Sequence, residues 1–448
     1  MSKRSRRAEM QAARRARARA DRERRRDPAR ALVSAMMLFY FSAFLLIALQ
    51  GEIQWQGFAL AAAVPMMIYI ATLWLPRFFP ADKLLLAIAN FLCALGVLIL
   101  YSTDQSAGTT RGMQQAMYYG VGILAMLICI LLVRYVKNWS FLIKVIMLGA
   151  AGLMVLPLAI GTEVNGASNW IVIGGTSLQP SEVVKVALLL ILGWYMSRHR
   201  FWPWFLFAVF CLLVLMLQAD LGTALVYYTT TLLLFYAATG NLLLSGLGVV
   251  GGCGAAVLGY RMFAHVKKRV AIWRNPWIYY ETSGYQIAQM LMAIASGGPF
   301  GVGLGLGAPR VIPEYYTDCI FAVICEQFGI IFGILVLVMY VILILRGAYI
   351  ASQARHSFHA TVAMGATVML GIQTFIIIGG VMKMIPLTGI TMPFVSYGGT
   401  SLVSCMGLIG LIQGVASVNQ DDLNYDYEIS RTLQEAAMLP RADEGGWR

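Results

Sequence analysis

From residue 31 to residue 418 the chain repeats one pattern: an apolar run of roughly 17 to 25 residues, closed by a short polar or charged connection. A helix of that length crosses a hydrocarbon core roughly 30 Å thick, and inside lipid only helices and closed barrels satisfy their own backbone polar groups. The runs read as spans at 31–50, 57–76, 84–101, 117–136, 141–160, 182–197, 203–218, 221–239, 242–260, 319–345, 358–380 and 394–418. The expected fold is therefore an all-α polytopic membrane protein of about 12 transmembrane helices. With 59% of 448 residues hydrophobic and 12% charged, a soluble globule is excluded, because an aqueous surface needs more charge than that. The regular recurrence of the runs also excludes a signal peptide followed by a soluble domain.

Residues 1–30 hold 13 Lys and Arg against 4 acids, most of the formal net charge of +13. Such a tail reads either as a topogenic anchor that keeps the N-terminus cytoplasmic or as a surface helix on anionic lipid. From a cytoplasmic start, Arg77, Lys83, Arg134, Lys137, Arg198, Arg200, Arg346 and Arg355 all fall on the inner side, as the positive-inside bias requires. The short outer connections are nearly free of Lys and Arg, Arg111 excepted, so both termini are expected in the cytoplasm of a cell that carries this chain in its plasma membrane. The large extracytoplasmic loop between the ninth and tenth spans, 261–318, departs from the pattern with Arg261, Lys267, Lys268, Arg269, Arg274 and Arg310. Long loops escape the topogenic rule; alternatively these cations line a groove for an anionic ligand such as a lipid phosphate or pyrophosphate.

The seven cysteines sit in or at the edge of apolar runs with no CxxC spacing, and the four histidines are scattered, so neither type outlines a metal site. Among the acids, Glu182 and Lys185 in QPSEVVK stand three apart on one helical face, either as a structural pair or as a substrate contact. Pro180 and Glu182 also suit the first turn of a helix. Asp220 in QADLGTA is a helix cap or, in a vestibule, an oxygen ligand for a divalent cation. Gly303 to Ala308 matches the GxGxxA dinucleotide fingerprint only superficially, since no soluble strand and helix flank it; close backbone approach or a re-entrant turn fits better. In IPEYYTDCIFAVICEQFG, Glu314 and Asp318 are expected outside, while Glu326 falls about two turns into a span and needs a partner, with Lys383 and Arg310 as candidates. Lys383, Pro386 and Pro393 lie in a segment with paired glycines that reads as a broken, cavity-lining element, and Ser396 in SYGGTS offers a hydroxyl there.

Taken together, NGASNWI, QPSEVVK, DLGTA, GYQIAQ, AIASGGPFGVGLG, PEYYTDCIFAVICEQFG and PFVSYGGTS resemble, in order and spacing from about residue 84 to 418, the SEDS family, the RodA, FtsW and SpoVE proteins of shape, elongation, division and sporulation. The resemblance implies a peptidoglycan glycosyltransferase that polymerises lipid II, the undecaprenyl-pyrophosphate-linked disaccharide pentapeptide. It implies a class B penicillin-binding protein transpeptidase and other elongasome or divisome membrane proteins as partners, and no nucleic acid. The division of the chain becomes a basic tail (1–30), an added helix pair (31–83), the SEDS-like core (84–418) and a cytoplasmic C-terminal tail (419–448). The added pair is one departure, since relatives usually have ten spans. A second is Ser168 and Asn169, where relatives often place a basic residue before the Trp.

The third departure concerns NPWIYYETSGYQ, Asn275 to Gln286. Relatives read NPWxDPxGSGYQ there, with the aspartate regarded as catalytic, and alignment on Ser283 to Gln286 puts Tyr279 at that position. Glu281, the only carboxylate between Asp220 and Glu314, is then the candidate base. A tyrosine with an unperturbed pKa of about 10 is a poor base at neutral pH. Lys268, Arg269 and Arg274 become candidates for the pyrophosphate, with Glu182, Lys185, Glu314, Asp318, Glu326, Lys383 and Ser396 as further substrate contacts. A divalent cation, Mg or Mn, is the one cofactor this chemistry would use, and its ligands are unknown. A weakened scaffold that recruits a transpeptidase, and a lipid II transporter, are the alternatives.

Overall fold

The computed structural model describes residues 28–50, 54–164, 167–173 and 176–438. The basic tail through residue 27, Asn165 and Gly166 of the NGA segment, and residues 439–448 lie outside the described residues. Helices occupy all twelve expected places. In chain order, α1 (Pro28–Leu49), α2 (Trp55–Tyr69), α3 (Lys83–Ala107), α4 (Arg111–Tyr135) and α5 (Trp139–Ile160) come first; α2 contains Pro65 and runs on through a π turn and a 3-10 turn to Arg77. Three short strands follow, then α6 (Pro180–Met196), α7 (Phe201–Leu217), α8 (Leu221–Thr239) and α9 (Leu242–Met262). The large loop holds α10 (Ala264–Arg274), α11 (Tyr285–Gly297) and α12 (Ile320–Phe328), before α13 (Ile330–Ser352), α14 (Ser357–Val381) and α15 (Gly399–Met438) close the chain.

Ten of these are long and apolar enough to cross a membrane. The other two expected spans fall on shorter helices of 17 residues, the apolar α7 and α6, each about 25 Å long at 1.5 Å per residue. Helix α3 forms the centre, with residues such as Leu92, Leu95 and Leu98 fully buried. On one side α15 packs along α4, with Met126 facing Gly410 so closely that a Cβ there would lie 2.4 Å from the Met126 carbonyl oxygen. On the other side the α1–α2 pair forms a separate cluster against α3, where Tyr40 donates to the Phe91 carbonyl (2.7 Å) and Phe44 meets Tyr101. These contacts rise together along both helices, so α1 and α3 run parallel.

The start signals hold: Asp220 caps α8 through the Thr223 N–H and Pro180 opens α6; Asp82, not singled out in the sequence, caps α3 through the Leu85 N–H. Three expectations change. Segment 162–178, read as a polar loop, is a three-stranded antiparallel meander of β1 (Thr162–Val164), β2 (Ala167–Ile173) and β3 (Thr176–Leu178). Its apolar and β-branched NWIVI run supplies the strand propensity. The last span begins at Gly399 rather than 394, because 382–398 is irregular. The tenth span is not one helix from 319 to 345: it breaks at Gly329 (φ +85°) into α12 and α13.

A glycine-rich loop closes that break. Val302 and Gly303 donate to the Glu326 and Gln327 carbonyls (2.9 and 3.1 Å), so two carbonyls left at the end of α12 are satisfied inside the protein, and Ile330 N at the start of α13 donates back to the Gly298 carbonyl (2.9 Å). GVGLGLGA is thus a backbone clasp, as a re-entrant reading requires, and binds no dinucleotide in the manner of a βαβ unit. At Gly301 (φ +83°) a Cβ would lie 2.2 Å from the Gln327 carbonyl oxygen, whereas at Gly298 (φ +55°) nothing stands within 4 Å. Gly298→Ala should therefore cost only the backbone strain of a φ/ψ pair (φ +55°, ψ −154°) that essentially glycine alone adopts, about 1–3 kcal/mol. Gly301→Ala should cost more, because backbone must shift. Thermal unfolding in detergent should rank wild type above Gly298→Ala above Gly301→Ala.

Candidate functional site

Two polar clusters meet at the irregular segment 382–398. The inner one is built on the first turns of α6, where the i, i+3 spacing puts Glu182 and Lys185 side by side. Lys185 Nζ donates to Glu182 Oε2 at 2.6 Å and to Gln373 Oε1 at 2.9 Å, and both charged side chains are buried. Ser404 Oγ on α15 donates to the same carboxylate oxygen (2.8 Å). Gln373 on α14 passes the network to segment 382–398 by donating to the Thr391 carbonyl (2.9 Å), and the Thr391 hydroxyl pairs with Ser401 (2.6 Å). A few residues away Asp220 is saturated: Asn169 (2.7 Å) and Gln179 (3.0 Å) donate to one oxygen and Thr223 N to the other. Asn169, standing where relatives often carry a basic residue, thus supplies a neutral donor.

The outer cluster gathers on residues 311–318. Glu314, Thr317 and Asp318 are drawn together by a tight turn in which Glu314 takes φ +54°. Thr317 Oγ1 lies 2.9 Å from Asp318 Oδ1 and 3.4 Å from Glu314 Oε2. Ser396, buried, donates its hydroxyl to the Thr317 carbonyl and accepts from Met392 N (2.8 Å). Tyr397 N donates to the Tyr316 carbonyl (2.8 Å), and Arg111 lies over the Tyr316 ring at 3.7 Å while donating to Tyr315 (3.0 Å). Burial raises the Asp318 carboxyl to about 6, with Glu314 adding to the rise and Thr317 and Arg269 opposing it. Burial, then Glu314, pushes the Tyr316 hydroxyl up to about 12. Of the five non-glycine residues with positive φ among the described residues, Glu314, Lys383 and Phe394 belong to the two segments forming this region, strain of the kind that accumulates at functional sites.

The structure brings Glu182 to Lys185, and Glu314, Asp318 and Ser396 to one another, with Arg269 tied beside them by its Nη1 donating to the Thr388 carbonyl (3.0 Å). Lys268 and Arg274 are exposed on the basic helix α10, without an ion pair among the described residues. Glu281 is also exposed and makes no hydrogen bond among the described residues. Its loop is nonetheless compact. Asn275 caps a 3-10 turn (Pro276–Tyr279), and Gly284 packs so tightly that a Cβ there would lie 2.2 Å from the Pro276 carbonyl oxygen. Gln286 Nε2 reaches Cys319 Sγ (3.1 Å), which sets the loop against the Asp318 segment.

Glu326 is a correction. It lies near the end of the short α12, not inside a spanning helix, and neither Lys383 nor Arg310 is its partner. Its Oε1 accepts from Ala308 N (3.0 Å) in the glycine clasp, its Oε2 is buried and unpaired, and Arg310 is exposed. Lys383 offers its carbonyl to Trp273 Nε1 (3.1 Å), while its ammonium makes no ion pair among the described residues. Sequence reasoning missed Arg111, Tyr316, Thr317 and Gln373; only Arg111 carried a signal, as the basic exception in the outer connections.

The inner pair generates a stability prediction. Lys185→Met leaves a buried carboxylate uncompensated, a loss of about 3–5 kcal/mol, whereas Glu182→Gln combined with Lys185→Met removes both charges and should recover part of it. The unfolding temperatures of the two variants in detergent check this, with the double variant the more stable.

The FtsW/RodA/SpoVE family model, described as "Cell cycle protein", matches residues 82–421. Peptidoglycan glycosyltransferase RodA of Mycobacterium tuberculosis (strain ATCC 25618 / H37Rv) is 32% identical over 428 residues, covering 88% of this chain and 90% of its own. Stage V sporulation protein E of Bacillus subtilis (strain 168) is 34% identical over 360 residues, covering 75% and 96%. Among solved structures, a chain described under "Structural coordination of polymerization and crosslinking by a peptidoglycan synthase complex" has a TM-score of 0.64 at 25% identity, covering 76% of this chain and 98% of that one. The rod shape determining protein RodA of Thermus thermophilus has a TM-score of 0.56 at 25% identity with the same coverage. The family match leaves α1 outside and stops short of α2. The mycobacterial alignment covers more than residues 82–448 could supply, so it reaches into that pair. This multi-pass membrane protein belongs to the SEDS family, the FtsW, RodA and SpoVE proteins.

Proposed function

We propose that this protein is a peptidoglycan glycosyltransferase that polymerises lipid II on the outer side of the plasma membrane, with both termini cytoplasmic and a class B penicillin-binding protein transpeptidase beside it. The observation that carries this reading is the near full-length identity with a named peptidoglycan glycosyltransferase. The complex named for one solved relative supports the partnership. In the reaction a sugar 4-hydroxyl attacks the anomeric carbon of the second substrate. The new C–O bond forms as the bond to the lipid pyrophosphate breaks, the hydroxyl proton passes to a carboxylate, and configuration inverts.

The chain's residues fit these tasks. Lys268 and Arg274 on α10 are uncommitted cations for the leaving pyrophosphate, and Arg269 fixes that helix to Thr388. Among the described residues no group of three or more His, Cys, Asp or Glu stands together, so a Mg or Mn ion is best held by the pyrophosphate itself. Glu281 is the base in the first reading, placed in the loop where relatives keep a carboxylate. A second reading is favoured by one observation: Asp318, in the large outer loop, is a buried carboxylate that burial raises to about 6, close to where a general base works best at neutral pH.

Polymerisation of lipid II by purified protein, with and without its transpeptidase and Mg or Mn, tests both. Glu281→Gln should lower the rate roughly 10² to 10⁴-fold if Glu281 is the base, and leave it near wild type if Asp318 is. A base acts when deprotonated, so in the second reading the rate rises as pH increases through about 6, and Asp318→Asn loses both the rate and that rise. Polymer that persists in the Glu281→Gln and Asp318→Asn double variant would sink both assignments. No polymer from wild type under any condition would favour the scaffold, with flipping of lipid II in liposomes testing the transporter.

A further inference from the structure

Helix α15 runs 40 residues without a proline, about 60 Å at 1.5 Å per residue, roughly twice the hydrocarbon thickness. Its first half is buried in the bundle, and from about residue 420 it projects beyond it. The projecting part is acidic: between residues 419 and 438 stand Asp421, Asp422, Asp426, Glu428 and Glu435 against the single Arg431. It is also conspicuously apolar for a helix in water, with Leu423 57%, Tyr425 64%, Tyr427 69% and Ile429 41% exposed. Tyr425, Glu428, Ile429 and Thr432 line a shallow depression on it. One carboxylate oxygen of Asp422 is buried without a hydrogen bond. A helix so exposed is marginal by itself, and clustered apolar side chains rimmed by charge mark a covered surface.

The same end of the bundle receives the start of the chain. Asp421 pairs with Arg134 at the end of α4 (2.9 Å), Asp426 pairs with Arg355 just before α14, and Gln413 of α15 holds Asp82 at the start of α3. Because α1 runs parallel to α3, Pro28 emerges at that end too. The 27 residues before it carry eleven Arg and one Lys against four acids. Fully extended they reach roughly 90 Å. Arginine suits the surface on every count: its guanidinium stacks on tyrosine, forks onto carboxylates and satisfies an orphaned oxygen.

We infer that residues 1–27 dock on the exposed stretch of α15, with arginines stacked on Tyr425 and paired with Glu428 and Asp422. The contact is a clamp between the two ends of the chain, independent of the catalytic assignment. It competes with the membrane for the same arginines.

Full-length protein carrying a photo-cross-linking p-benzoylphenylalanine at position 425, or separately at 429, tests it in nanodiscs of phosphatidylcholine. Irradiation should join peptides from residues 1–27 to either position, as identified by mass spectrometry. The yield should fall several-fold between about 50 mM and 500 mM salt, and likewise in the Arg24→Glu, Arg25→Glu, Arg26→Glu variant. Absence of tail peptides at both positions overturns the inference, as does a yield indifferent to salt and to the charge reversal. If tail peptides are missing in phosphatidylcholine while the tail is protected from protease only when phosphatidylglycerol is added, the tail belongs to the lipid surface and the clamp is wrong.

Discussion

The Lys185–Glu182 contact ties together elements far apart in sequence. Its ammonium joins α6 to Gln373 on α14, its carboxylate takes Ser404 on α15, and Gln373 in turn fixes Thr391 in the irregular segment. Each charge would be expensive in this interior without the other, so the pair is stable only when all three helices are in register. The outer cluster depends on it at one remove. Ser396, five residues past Thr391, holds the Thr317 carbonyl, and through that strand of contacts the position of Asp318 is set by packing at α6. The buried ion pair in the first turns of α6 is thus linked, through the irregular segment, to the carboxylates of residues 311–318.

The irregular segments show what lipid requires of a broken helix. Where α12 ends, the Glu326 and Gln327 carbonyls find donors from the glycine loop, and where 382–398 departs from helix, Tyr340 donates to the Pro393 carbonyl and Gln115 Nε2 donates to the Ser396 carbonyl (2.9 Å). Glycine is essential only where backbones touch, as at Gly301 and Gly329. Non-glycine residues absorb the strain at Glu314, Lys383 and Phe394, which is affordable only because surrounding contacts overdetermine them.

Much of this was legible in the sequence because membrane insertion leaves a length-coded record: the places of the helices, the Asp220 cap and the Glu182–Lys185 face follow from run length, capping chemistry and helical spacing. The break at Gly329 was not, since CIFAVICEQFGIIFGILVLV reads as one apolar run interrupted only by Glu326 and Gln327, and a positive φ at Gly329 ends the helix. That misplaced Glu326 and its partners. For the site, spacing located the loop acids but could not distinguish an exposed Glu281 from a buried Asp318, because burial there comes from turns closed by residues 79 positions apart, Thr317 and Ser396. Arg111 escaped for the same reason: its rings, Tyr315 and Tyr316, lie some two hundred residues downstream.

The helix that begins at Gly399 starts only three residues after Ser396 and ends beyond the opposite side of the bundle. Without proline over its 40 residues, it is one continuous element that joins the irregular segment carrying Ser396 and Tyr397 to the exposed Tyr425, so the two sides of the bundle share a single unbroken helical backbone.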